Sequence, residues 1–357
     1  MDSAAIARLA DILVNYSTEV KKGDRVLIQG TELARPLIEE VYRLVLRNGG
    51  YPTVRLDVDS LAEAFFREAP ETHLDRLDPI VDFVFRHSDV LINIRSSENT
   101  RSLTSVDPAR QQRWQRTMAP LQSYIMEGRT RWCVTAFPTQ ALAQDAGMSL
   151  EEYANFVFGA TNIDWPATVS MMQKVKAVFD SGQQVRLVGT DTDLTFSIQG
   201  RPGIVSDGRR NMPSGEVFYA PLEKTVNGRV YYEYPAIHDG REVSGIRLTF
   251  RDGRVVEAEA DTGREFLQEM LDTDDGARYL GEFGIGTNFG IQKFTKNILF
   301  DEKIGGTIHL ALGQAYTEGG GTNKSAIHWD MVKEMRQGGE VYLDGALVQK
   351  DGRFLFL

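Results

Sequence analysis

The chain has 357 residues, a formal net charge of -10 and a single cysteine. This acidic balance argues against general nucleic-acid binding and against an anionic membrane surface as partners, and one thiol excludes an internal disulfide. The opening Met-Asp-Ser-Ala-Ala has no secretory leader pattern, and no apolar run reaches the length of a bilayer span, so we expect a cytoplasmic protein. A chain of this length predicts two domains.

The first half of the chain alternates between short apolar runs and amphipathic segments. Strands are predicted at 24–30, 52–56, 89–94 and 131–135, and helices at 4–15, 36–46, 61–68, 78–86, 107–118 and 165–179. Ser149-Leu-Glu-Glu152 is a capping box that opens a further helix. This alternation predicts an α/β amino-terminal domain with a mostly parallel sheet over residues 1–183. It lacks the glycine patterns of nucleotide-binding loops, which favours a role as scaffold or substrate wall.

The second half is predicted to be a β-rich α+β domain over residues 184–357. Short apolar runs at 185–189, 194–198, 230–234, 245–250 and 254–258 are separated by turn residues and predict a mainly antiparallel barrel or sandwich. Asn227-Gly228 and Asp252-Gly253 are typical of hairpin turns. Helix is expected only near 262–271 and 276–280.

A divalent-metal pattern lies near the end of the chain, where two of its five histidines occur. In a strand, residues two apart point to the same face, so His328 and Asp330 would project together while Trp329 points away. His309 adds a second imidazole close in sequence. Two imidazoles and a carboxylate favour a metal site, although two unrelated polar residues on a solvated strand face would give the same pattern.

Two glutamates extend this set. Glu216 follows a Pro-Ser-Gly turn where loop becomes strand, and is either a ligand or an ordinary surface residue. Glu282 is ringed by small and apolar residues, so its carboxylate needs a partner, which is either a metal or a basic side chain. Five ligands are too many for one tetrahedral zinc with an open position, and they suit two divalent ions sharing a bridging carboxylate and a bridging water.

Three further residues are candidates for the same site. Glu302 is a candidate general base, or simply a residue of an exposed Asp-Glu-Lys turn. Tyr316 is a candidate hydrogen-bond donor to a developing oxyanion, or a packed aromatic. His238 looks like a turn histidine and is the weakest candidate ligand.

Four spaced motifs resemble the M29 family of metallo-aminopeptidases, the thermophilic aminopeptidase T group. The matching segments are Asn211–Pro221, Gly281–Asn288, Phe300–Tyr316 and Gly319–Met331. The amino-terminal half is similar in layout, so the resemblance covers essentially the whole chain. One departure is that the segment between Glu302 and His309 is longer than expected for the family.

The resemblance implies roles for the candidate residues. Those standing at the metal-ligand positions are Glu216, Glu282, His309, His328 and Asp330. Tyr316 stands at the active-site tyrosine and Glu302 at an additional catalytic glutamate. The resemblance also implies a homodimer whose sites face an internal cavity, which would favour short peptides over folded proteins.

We therefore expect a metallo-aminopeptidase, a hydrolase of the exopeptidase class, that releases residues from short peptides with a free amino terminus. The expected cofactors are two divalent ions (zinc, cobalt, manganese or magnesium) with a bridging hydroxide. One alternative is a mononuclear Fe(II) ring-cleaving dioxygenase of the related dihydroxypyridine type, because two imidazoles and one carboxylate also suit Fe(II). Another is a binding protein that keeps the fold without catalysis.

Overall fold

The computed structural model describes residues 2–238 and 240–357. Numbered in chain order, the α-helices are α1 Ser3–Asp11, α2 Arg35–Arg47, α3 Asp59–Glu68, α4 Glu71–Leu74, α5 Pro79–Arg86, α6 Pro108–Tyr124, α7 Gln140–Asp145, α8 Leu150–Thr161, α9 Trp165–Asp180, α10 Arg264–Leu271 and α11 Ile298–Asp301. The strands are β1 Arg25–Thr31, β2 Tyr51–Asp57, β3 Val90–Arg95, β4 Arg131–Ala136, β5 Gln184–Gly189, β6 Thr192–Ser197, β7 Ile204–Ser206, β8 Asn211–Met212, β9 Glu216–Tyr219, β10 Asn227–Tyr231, β11 Ala236–His238, β12 Arg241–Val243, β13 Arg247–Arg251, β14 Arg254–Glu259, β15 Leu280–Gly286, β16 Ile308–Gly313, β17 His328–Lys333, β18 Glu340–Leu343, β19 Ala346–Lys350 and β20 Arg353–Phe354. Among these elements, no helix combines the length and apolarity needed to cross a bilayer.

The first compact unit runs up to Asn162 and includes Gly208–Pro213. Its sheet has the order β2-β1-β3-β4-β8, and every neighbouring pair is parallel. Helices connect the strands because parallel neighbours need crossover connections. The Ser149 side chain accepts a hydrogen bond from the Glu152 backbone, and Glu152 reciprocates, so the predicted capping box does open α8. The predicted α/β architecture of this half is confirmed.

The second unit comprises residues 163–207 and 214–357. It contains an antiparallel eight-stranded sheet, β14-β13-β10-β6-β5-β18-β19-β20, and an antiparallel five-stranded sheet, β17-β16-β15-β9-β7. Side chains from α9 and both sheets share one apolar core, in which Phe179, Phe196 and Phe283 meet edge to face or tilted. The predicted β-rich architecture is confirmed. By its packing α9 belongs to this unit, and the domain boundary at 183 stays a prediction.

Two local predictions in the second unit are wrong, and one is confirmed. Asp252 and Gly253 join β13 to β14 with φ of 48° and 86°, the left-handed conformation that a two-residue hairpin turn needs. Gly228 instead lies inside β10, where a Cβ would stand 2.1 Å from the carbonyl oxygen of Asp193. The absence of a side chain at Gly228 therefore permits the close approach of β10 to β6. No helix forms at 276–280, because these residues make a turn and then enter β15 at Leu280.

Candidate metal centre

The five-stranded sheet has one apolar face and one polar face. Alternate side chains of β9, β15, β16 and β17 enter the core: Val217, Tyr219, Phe283, Ile285, Leu310, Leu312, Trp329 and Met331. Residues that alternate with them face the other way, and they include the predicted ligands Glu216, Glu282, His309, His328 and Asp330. The predicted opposition of Trp329 to its two neighbours is confirmed. Period-two alternation thus collects the candidate ligands on one surface.

A β-bulge at the start of β15 aims Glu282 at this surface. Leu280 pairs with Leu312, but Glu282 pairs with Ala311, so one extra residue, Gly281, stands in β15 between these pairs. Leu280 lies in the apolar core although it is only two residues before Glu282. Without the bulge, the two side chains would share a face.

Gly284 makes room for the imidazole of His309. The two residues are directly opposite on β15 and β16. A Cβ on Gly284 would lie 1.9 Å from Cε1 and 2.0 Å from Nε2 of His309, far inside van der Waals contact. The ring therefore lies flat against bare backbone, and only glycine permits that approach.

Glu282 stands between two groups of potential ligand atoms. Its Oε1 is 3.1 Å from Nε2 of His309, which is also 3.5 Å from Oε2 of Glu216. Its Oε2 is 3.5 Å from Nε2 of His328, which lies 3.5 Å from Oδ2 of Asp330. Each group of three offers ligand atoms that lie within 4.8 Å of one another. The structure therefore brings all five predicted residues together in two triads that share one carboxylate.

The donor set fits divalent cations. Buried polar atoms normally have partners, yet Oε2 of Glu216, Oε2 of Glu282 and Oδ1 of Asp330 have no hydrogen bond. Nδ1 of His328 lies 2.7 Å from the carbonyl oxygen of Gln314, and donating to it would leave Nε2 as a lone-pair donor facing the carboxylates. A ring oriented in this way by a backbone carbonyl is typical of metal-binding histidines. Metal binding by these side chains stays a prediction.

The protein groups alone strongly perturb the pKa values of the site. Burial raises the pKa of Glu216 and of Glu282, because a desolvated carboxylate is costly. Burial would lower the pKa of His309, but its hydrogen bond to Glu282 and the nearby carboxylates raise it to about 9. The pKa of His328 rises to about 10 in the same way, mainly through Asp330. A cation binding here must displace these imidazole protons.

Glu302 and Tyr316 border the same cluster. Glu302 follows α11, keeps 15% of its side chain exposed and interacts electrostatically with Asp330 and His309. The longer segment after it is taken up by a turn, in which Gly305 donates to the carbonyl of Asn288. Desolvation of its hydroxyl and the nearby carboxylates raise the pKa of Tyr316, so its phenol stays protonated at neutral pH although 46% of the residue is exposed. Its ring meets that of His328 edge to face at 5.1 Å.

One buried residue of the site was missed by the sequence analysis. Lys303 has no exposed side-chain surface, and its ammonium contacts Glu302 and lies 3.5 Å from Oε1 of Glu216. The sequence signal for its burial is the segment that follows, Ile304 to Ile308, because its small and mostly apolar residues are typical of a buried segment. His238, the weakest candidate, is in neither triad, and its ring packs 6.0 Å from Trp329.

Comparisons with known proteins show what this chain is similar to. The family model described as thermophilic metalloprotease (M29) matches residues 2–354. Aminopeptidase T of Thermus aquaticus is 29% identical over 95% of this chain and 94% of its own length. The structure of wild-type AmpT from Thermus thermophilus superposes with a TM-score of 0.86 at 26% identity and covers 99% of both chains.

A second solved structure shares the fold alone. The 2,5-dihydroxypyridine dioxygenase of Pseudomonas putida KT2440 superposes with a TM-score of 0.61 over 99% of this chain and 98% of its own, at 12% identity. The fold is therefore compatible with more than one chemistry. The family model decides between them, because it spans nearly all of the sequence. This chain belongs to the M29 family of thermophilic metalloproteases.

Proposed function

We propose that this protein removes amino-terminal residues from short peptides with two divalent metal ions, one bound in each triad. The coarser assignment rests on the family and its aminopeptidase relatives, which make the chain a metallo-aminopeptidase, a hydrolase of the exopeptidase class. The observation that carries the finer proposal is the position of Glu282, whose two oxygens face different imidazoles. A carboxylate shared in this way suits a bridging ligand.

Two ions held by Glu216, Glu282, His309, His328 and Asp330 would polarise a scissile carbonyl and lower the pKa of a water molecule toward neutrality. The ions expected are zinc, cobalt, manganese or magnesium.

In this proposal, the chain's own groups orient the substrate and move the protons. Glu302 accepts the proton of the attacking water and passes it to the leaving amine, because it borders the ligand cluster and keeps access to solvent. Tyr316 donates a hydrogen bond to the developing oxyanion from its protonated phenol. The carboxylates attract the cationic α-amine of the peptide, which favours substrates with a free amino terminus.

The dioxygenase alternative is less well supported. A mononuclear Fe(II) site needs two imidazoles and one carboxylate. Here Glu216 and Glu282 add two buried carboxylates directly beside the imidazole of His309. These extra carboxylates favour a second cation, since buried carboxylates are costly unless cations neutralise them. One iron per chain with oxygen uptake on a dihydroxypyridine would reverse the choice.

The decisive experiment combines metal content with substrate choice. The purified protein is reconstituted with cobalt or zinc and assayed on aminoacyl-p-nitroanilides, dipeptides and the same peptides blocked at the amino terminus. We expect two ions per chain and turnover of unblocked substrates only. Equal cleavage of blocked peptides, or a single ion at full activity, would overturn the proposal.

A matched pair of variants separates the shared carboxylate from carboxylates in general. Glu282→Gln should lower the metal content at both triads and reduce activity on the order of 1,000-fold, since it removes a ligand from each. Glu340→Gln is the control, because Glu340 begins β18 in the other sheet and pairs with Lys350 at 3.0 Å. It should keep both ions and full activity.

The homodimer and the cytoplasmic location remain predictions. Light scattering coupled to gel filtration measures the first, and cell fractionation the second. A monomer with full peptidase activity would exclude the need for a shared internal cavity.

A further inference from the structure

Lys303 is a buried cation that the steps above do not use. Its side chain is 0% exposed, and its ammonium contacts Oε1 of Glu302 and lies 3.5 Å from Oε1 of Glu216. Burying an unpaired ammonium costs several kcal/mol, so a lysine in this position needs carboxylate partners. Both partners belong to the candidate centre. The burial of Lys303 is therefore explained by the site and not by the apolar core.

The backbone around Lys303 is held at a defined position. Its N–H donates to the carbonyl of Phe300 at 3.0 Å, and its own carbonyl accepts from the N–H of Asn288 at 3.0 Å. The side-chain amide of Asn288 donates to the carbonyl of Ser214 at 2.9 Å, which ties the same region to the turn before Glu216. These hydrogen bonds fix the backbone from which the side chain of Lys303 projects. Its ammonium thereby reaches two carboxylates that come from different segments of the chain.

We propose that Lys303 is a positioning residue that holds the carboxylate of Glu302 toward the candidate metal centre and fixes Glu216 beside it. This inference rests on the proposed function. Without the lysine, the carboxylate of Glu302 would lose the cation that it contacts, and its side chain would be free to turn toward solvent.

Charge balance supports the same role. Two divalent ions would offset the four carboxylates of the centre. Lys303 adds one further positive charge beside Glu302, which would match the negative charge of a bridging hydroxide. The lysine therefore both orders the proton acceptor and keeps the site near neutrality during the reaction.

The test compares Lys303→Met with a matched buried lysine. Lys333 is also 0% exposed, but it projects from the face of β17 that lies opposite His328 and Asp330. It pairs with Glu233 at 2.5 Å, outside the centre. We expect Lys303→Met to lower kcat about 100-fold with little change in KM, because a misplaced proton acceptor slows the chemical step. Lys333→Met should lower the melting temperature and leave kcat of the folded enzyme unchanged.

A readout without turnover completes the test. In a crystal structure of Lys303→Met, the Glu302 carboxylate should leave the centre, whereas in Lys333→Met it should stay. Lys303→Arg keeps the charge, and its kcat should be at least about tenfold higher than that of Lys303→Met. Equal kcat values for the two methionine variants, or an unmoved Glu302, would overturn the inference. If the wild-type protein cleaves no peptide, the proposed function fails, while the position of Glu302 still decides the role of Lys303.

Discussion

The molecule contains two five-stranded sheets that use their faces differently. In β1, an inner strand of the parallel sheet of the first unit, the neighbouring residues Val26, Leu27 and Ile28 are all buried and apolar, as expected for a strand covered on both sides. In the antiparallel sheet of the second unit, Trp329 and Met331 enter the core while His328 and Asp330 between them face the candidate centre. An inner strand that is apolar on both faces serves as framework, whereas a sheet with one apolar and one polar face can collect charged groups.

The largest effect is expected from filling the space beneath the imidazole of His309. Gly284→Ala would place a methyl group 1.9 Å from the ring of His309. We expect a loss of activity on the order of 1,000-fold and a lower metal content, because the ring must move by more than an ångström. Activity and metal content of the purified variant check this.

Gly189→Ala is the control for that substitution. Gly189 ends β5 in the other sheet, and a Cβ there meets nothing closer than 3.6 Å. It should keep metal and activity. A fully active Gly284→Ala enzyme would mean that His309 does not bind metal in the observed orientation.

The same truncation of a buried leucine in each sheet should affect stability alike but activity differently. Leu27→Ala in β1 and Leu310→Ala in β16 each remove a fully buried side chain and should cost about 2–5 kcal/mol of stability. Only Leu310 adjoins a candidate ligand, His309. We expect Leu27→Ala to keep kcat per folded molecule and Leu310→Ala to lower it. Denaturant titration with kinetics on the folded fraction tests this, and equal kcat values would contradict the distinction.

Tyr316→Phe removes one hydroxyl from the polar face. Because this hydroxyl is proposed to donate to the oxyanion, kcat should fall about 100-fold while stability stays within about 0.5 kcal/mol. Tyr342→Phe, which removes a hydroxyl bonded to Glu340 at 2.6 Å, is the matched control. If both variants turn over at the wild-type rate, Tyr316 is only a packed aromatic.

The pH dependence of stability should differ between metal-free and metal-loaded protein. The pKa values of His309 and His328 are raised to about 9 and about 10, so their protonation stabilises the metal-free fold below pH 6.5. That stability is lost as the pH rises through 9 and 10. Metal binding needs deprotonated imidazoles and strengthens over the same range. The gap in melting temperature with and without chelator should therefore widen from pH 6 to pH 9, and a constant gap would argue against histidine ligands.

The sequence predicted the fold where local patterns decide it. Alternating apolar runs and helices implied the parallel sheet, and Asp252-Gly253 implied a hairpin, because both signals act over a few residues. Asn227-Gly228 carried the same turn signal, but tertiary packing against Asp193 placed Gly228 within a strand. Local signals fail where a distant strand determines the conformation.

The candidate centre was predictable by residue type and motif but not by geometry. The imidazoles and carboxylates stood out as ligands, yet only the folded sheet makes Glu282 face both His309 and His328. The Asp-Glu-Lys sequence looked like an exposed turn, so Lys303 was overlooked. Its burial depends on contacts with Glu216, far away in sequence, and periodicity carries no information about such a pairing.

The unequal depth of the two triads has a practical consequence. Glu216, Glu282 and His309 are all buried, whereas His328 and Asp330 are only partly covered. If each triad binds an ion, the ion held by Glu216, Glu282 and His309 should exchange with solution more slowly, because these ligands are less exposed. Dialysis against a chelator would then first remove the ion bound by His328 and Asp330. The length of the dialysis would therefore determine what fraction of the purified protein is active.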